Sequence, residues 1–125
     1  MLKKIALVLA VGYTIALATV SLITLNNLPD TGISFADKIF HFLAYALLTI
    51  FWFAAFSITF NWKKKRAMLI AVCSSILFGI LIEVLQDTLT ESRALDIYDI
   101  LANSLGALLA SIILFFKKSL HVKNV

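Results

Sequence analysis

The chain has one cysteine, one proline and four glycines, and only 14% of its residues are charged. The lone Cys73 can form no intrachain disulfide and no thiolate metal centre by itself. Set in an apolar run, it reads as a small buried hydrophobe. Pro29 and Gly32 fall together in one stretch and mark it as turn-rich, which leaves the long segments on either side free of proline. There is no serine nucleophile elbow, no glycine-rich phosphate loop, no redox motif and no H-E-x-x-H metal motif. The scarcity of charge is the most restrictive of these absences, because a water-soluble domain carries about 25% charged residues.

What is present is apolar. Hydrophobic residues make up 62% of the 125 positions, and Phe alone contributes 10. Small domains bury the least of their surface on folding, so a soluble chain of this size cannot hide so much apolar area. The side chains must therefore face lipid. Four runs carry them, at residues 5–25, 39–60, 67–86 and 97–116. About 20 helical residues cross the roughly 30 Å hydrocarbon core, and in lipid the backbone has to satisfy its own hydrogen bonds. The expectation is an all-α membrane protein: one domain over residues 1–125, folded as a bundle of four transmembrane helices in the lipid bilayer. Lys3 and Lys4 before the first run also suit a signal peptide, but the run exceeds the usual 7–15 residues. It is expected to stay as a membrane helix.

Charge then orients the bundle. Nine of the eleven basic residues lie before the first run, between the second and third, or after the fourth. The positive-inside rule places that side, with both termini, in the cytoplasm. The basic cluster Lys63–Arg66 reads as a topology signal and anionic-lipid contact, and Trp62 beside it as an interfacial anchor. The net charge of +4 does not imply nucleic acid, because the bases flank apolar runs and no nucleic-acid motif accompanies them.

All seven acids fall on the other side: Asp30, Asp37, Glu83, Asp87, Glu91, Asp96 and Asp99. With Lys38 and Arg93 that side carries a formal −5, which topology alone does not require. The spacing is helical. Asp37, His41 and Tyr45 form one stripe; Gly79, Glu83 and Gln86 or Asp87 a second; Asp96, Asp99, Asn103 and Gly106 a third. At 1.5 Å per residue, His41, Glu83 and Asp99 lie about 3–5 Å inside their helix ends, and Tyr45 and Asn103 about 10 Å. The three stripes are expected to face one another as an outward-facing polar pocket floored by Tyr45 and Asn103. Intramembrane ionisable residues are costly and usually mark function. Gly79 and Gly106 are expected to bring the third and fourth helices close. The many small residues of the fourth make it the expected central helix.

The motifs D-K-x-x-H-x-x-x-Y from Asp37, E-x-x-Q from Glu83 and R-x-x-D-x-x-D-x-x-x-N-x-x-G from Arg93 resemble the VanZ-like family, in order and in spacing, over about 70 residues. That family's named member is associated with low-level resistance to the glycopeptide antibiotic teicoplanin. The resemblance implies a multi-pass protein of the bacterial cytoplasmic membrane with a cell-envelope role. It supplies no reaction.

The residue types suggest roles. Asp37 can orient His41 as an acid or base, with Glu83 as a further catalytic candidate. Asp37, His41 and Glu83 with Asp96 and Asp99 suit a divalent metal, Glu83 and Asp99 foremost. Lys38, Tyr45, Gln86, Arg93, Asp96 and Asn103 are candidates for holding a lipid-linked, cell-wall or glycopeptide-type ligand, with Arg93 suited to an anion. Three readings stay open: an enzyme, a binding protein, and a scaffold whose polar residues form an interhelical network.

Overall fold

The computed structural model describes the backbone of residues 1–23, 34–89 and 97–121, and the side chains of 1–22, 38–85, 88 and 97–116. Four helices account for nearly all of it: α1 (Leu2–Ile23), α2 (Ser34–Ala54), α3 (Lys64–Leu89) and α4 (Ile97–His121). All four are long and apolar enough to cross a membrane, over Leu2–Leu22, Lys38–Thr59, Lys64–Leu85 and Ile97–Phe116. The all-α, four-helix expectation holds.

Each helix buries one stripe and turns the rest outward. Ala6, Ala10, Leu17 and Ser21 are the buried positions of α1, and Ala67, Ala71, Ser75, Gly79, Ile82 and Glu83 those described for α3. The complementary faces expose Val8, Ile15, Leu43, Leu47, Leu77, Leu81, Leu105, Ile112 and Phe116. In water these would be a liability; in a bilayer they are the lipid-facing surface. Cys73 belongs to that surface and is exposed, which corrects the expectation that protein would bury it. It sits on the side of α3 away from the Ala67–Ala71–Ser75 stripe and so meets lipid.

Lipid tails are as apolar as leucine, so helices in a bilayer associate through close packing and polar contacts. The interior follows that logic. Ala44, Ala55, Ala67, Ala71, Ala102, Ala107 and Ala110 are buried between helices. Gly106 is the extreme case: a Cβ there would collide with the Phe42 backbone carbonyl. It serves the α2–α4 contact, where the sequence suggested α3–α4. Gly79 does bring α3 onto α4, because the space a side chain would need there is taken by Asn103 and Tyr45.

The most enclosed span is α2, with 39% buried against 28% for α4. This corrects the expectation of a central α4. The reason is connectivity in space: α2 packs on α1, α3 and α4, whereas among the described residues α1 does not touch α4. Hydrogen bonds among the described residues tie α1 to the second span. The Tyr13 hydroxyl donates to the Ala44 carbonyl at 2.6 Å, Trp52 Nε1 donates to Thr14 Oγ1 at 2.8 Å, and Thr59 Oγ1 donates to the Lys3 carbonyl at 2.6 Å. The second span ends in a π-helical turn, Ala55–Thr59, and then Asn61 with φ 59°. A left-handed residue terminates the helix, and asparagine is among the few that adopt this conformation at low cost.

Candidate functional site

Polar side chains from three helices meet at one end of the bundle. Helices α2 and α4 begin there and α3 ends there, so the N-terminal turns of two helices and the last turns of the third lie side by side. His41 comes from α2, Glu83 from α3 and Asp99 from the first turn of α4. They are 4%, 1% and 0% exposed. One ligand-type atom from each lies within 4.8 Å of the others.

Asp99 is the hub. One of its oxygens, Oδ1, is 2.7 Å from Lys38 Nζ, and the other, Oδ2, is 3.5 Å from His41 Nε2. A carboxylate in the first turn of a helix also faces the positive end of the helix dipole, which offsets part of the cost of burying it. Lys38 keeps its side chain 21% exposed and so reaches from the surface to the buried acid.

Beneath the triad lies a second polar layer. Tyr45 is one turn below His41, with the two rings stacked at a centroid separation of 6.4 Å. Asn103 is one turn below Asp99. The two converge over Gly79, where an added Cβ would lie 2.8 Å from Asn103 Nδ2 and 3.2 Å from Tyr45 Cε2. Among the described residues, Tyr45 Oη and Asn103 Oδ1 are buried and have no hydrogen-bond partner. One turn further along α2, Thr49 Oγ1 lies 2.9 Å from both the Tyr45 carbonyl and Ser75 Oγ.

The structure therefore brings together His41, Glu83, Asp99, Lys38, Tyr45 and Asn103. The side chains of Asp37 and Gln86, and the whole of Arg93 and Asp96, lie outside the described residues. The sequence groups His41, Glu83 and Asp99 among its candidate metal ligands and pairs His41 with Asp37; it does not single out the close His41–Asp99 contact. A signal for that contact exists, because His41 and Asp99 stand at matching depth on helices that both start at this end. The role of α1 is also hidden in the sequence. It carries no motif residue, yet Tyr13 holds the Ala44 carbonyl directly before Tyr45.

Four apolar spans that enclose a buried histidine–carboxylate centre define an integral membrane protein with polar chemistry inside its helix bundle. The chain belongs to the VanZ/LLP1 family, whose match extends over residues 3–118. No curated protein and no solved structure matches it.

Proposed function

We propose that this protein is a multi-pass protein of the bacterial cytoplasmic membrane, with both termini cytoplasmic, that binds or processes a lipid-linked, cell-wall or glycopeptide-type ligand at its outer face. One observation carries the reading: His41, Glu83 and Asp99, from three different helices, converge within 4.8 Å in a nearly fully buried cluster. Ionisable groups inside a bundle are expensive, and their default reading is function. Lys38, and Arg93 and Asp96 in the adjoining segment, are the groups suited to the ligand's charged parts. Acid–base work, where the ligand is processed, falls to His41.

The Lys38–Asp99 pair at 2.7 Å favours a second reading, in which the cluster is an interhelical network and the protein a scaffold or partner-binding module. The two separate by experiment. Purified full-length protein in detergent is mixed with a lipid-linked cell-wall precursor or with teicoplanin, and binding and turnover are followed for wild type, His41→Ala and Glu83→Gln. The binding reading expects wild-type affinity that both variants lose while keeping their elution profile and helicity. Absence of binding in wild type, with both variants unfolding, establishes the scaffold. The same proteins, carrying Cys73→Ser with Thr90→Cys or Lys64→Cys, test orientation in intact cells. An impermeant thiol reagent is expected to label the Thr90 position only; labelling at Lys64 alone reverses the topology.

A further inference from the structure

We propose that His41, Glu83 and Asp99 hold a first-row transition-metal dication, and that Lys38 is a tethered cation occupying its place until the metal displaces it. The proposal rests on reading the triad as a binding site. It stands apart from the identity of any envelope ligand, since metal can bind with or without one.

The donor set is one imidazole nitrogen and two carboxylate oxygens, with no sulfur. Such a mixture suits zinc, manganese or ferrous iron better than magnesium or calcium, which favour all-oxygen shells. Metal–ligand bonds of about 2.0–2.2 Å place neighbouring donors roughly 3–4.4 Å apart. His41 Nε2 and Asp99 Oδ2 already stand at 3.5 Å, and the full set within 4.8 Å needs only a small contraction. Three protein donors leave coordination positions open, the pattern of a reactive or ligand-accepting centre.

A cluster of acids would not by itself indicate a metal. Here a second observation points the same way. Tyr45 Oη and Asn103 Oδ1, buried one turn below the triad, have no hydrogen-bond partner among the described residues. Polar atoms in the protein interior are almost always satisfied, and water bound to a metal would satisfy these two.

Lys38 explains how such a site stays folded without metal. Its ammonium, 2.7 Å from Asp99 Oδ1, supplies a positive charge to the acid that a cation would otherwise neutralise. Its partial exposure gives it a route out to the membrane boundary. Metal and ammonium then compete for one carboxylate, so removal of the ammonium must strengthen metal binding.

The test uses full-length protein purified in detergent without a polyhistidine tag, stripped with a chelator and dialysed against Zn²⁺, Mn²⁺ or Mg²⁺. Metal content is read by mass spectrometry, affinity by competition with a chromophoric chelator, and fold by thermal unfolding. Wild type is expected to take up about one equivalent of Zn²⁺ or Mn²⁺ and none of Mg²⁺. Asp99→Asn is expected to lose about tenfold or more in affinity. Lys38→Met is expected to gain about tenfold, a change that misfolding cannot mimic. Wild-type protein that binds no Zn²⁺ or Mn²⁺, or that binds as Asp99→Asn does, overturns the site. Unchanged affinity in Lys38→Met overturns the displacement. Failure here with retained precursor binding leaves the ligand reading standing, and the reverse pattern leaves the metal.

Discussion

The two ends of this bundle are held together by different chemistry. At the end where α2 and α4 begin, the contact between helices is polar: Lys38, His41, Glu83 and Asp99 above Tyr45 and Asn103. At the opposite end it is aromatic and aliphatic. Phe53 packs on Ala67 and Ala71, with Trp52, Phe56, Trp62, Met68 and Leu114 around them. Phe56 and Trp62 stack at 4.7 Å, and Arg66 lies 4.6 Å over the Trp62 ring. Lys64 also reaches across to α4 at this end, donating to the Phe115 carbonyl at 3.0 Å and lying 4.6 Å over its ring. Lys64 and Arg66 at this end stand at the surface, over rings and a carbonyl, while Glu83 and Asp99 at the other end are inside. Packing joins the helices at one end, and buried polar groups from three helices join them at the other, which is where the proposed function places its chemistry.

The close approach between the two ends is where a substitution should cost most. Gly106 meets the Phe42 backbone carbonyl directly, and backbone cannot swing aside as a side chain can. Gly106→Ala is expected to destabilise the protein by about 3 kcal/mol through overpacking, seen as a lowered unfolding midpoint in detergent. A change under about 0.5 kcal/mol would mean that α2 and α4 separate more easily than their packing implies.

Phe53→Ala breaks the comparison from the aromatic side. The ring is 7% exposed, and its loss leaves a cavity between α2 and α3. In lipid the penalty comes from lost contacts and the cavity, so about 2 kcal/mol is expected. Metal uptake and ligand affinity should stay at wild-type values in the protein that remains folded. A matching loss of binding would show that the two ends are coupled.

How much of this is legible in the sequence differs between the ends in the same way. Span length and charge scarcity are enough for four helices, because a bilayer admits few alternatives. The polar stripes are legible because an acid in an apolar run stands out and helical spacing puts Glu83 level with Asp99. Partner choice within the cluster is not. Periodicity places His41 and Asp99 at equal depth but does not say how the helices rotate, and rotation is set by contacts such as Gly106 on Phe42. The π-helical turn at Ala55–Thr59 is also invisible, since nothing in A-F-S-I-T distinguishes it from ordinary helix. The exposure of Cys73 follows from the same missing quantity: a residue in a span faces either protein or lipid, and span length and charge do not say how the helix is turned.

Gly79→Ala has the smallest expected effect on stability and is the sharpest of these tests. Its Cβ would press on Asn103 Nδ2 at 2.8 Å and on Tyr45 Cε2 at 3.2 Å. Both can yield by small side-chain shifts, so the cost is about 1 kcal/mol. Those shifts move the layer directly under the triad. If Tyr45 and Asn103 support a bound cation or ligand through a shared water, affinity falls about tenfold while the unfolding midpoint barely changes. Phe53→Ala should do the opposite, with a larger stability loss and intact binding. A scaffold network predicts that binding never separates from stability, because in that case the polar layer contributes only to packing. Measuring both quantities on these two variants therefore distinguishes a site from a network by the sign of one comparison, whatever the ligand proves to be.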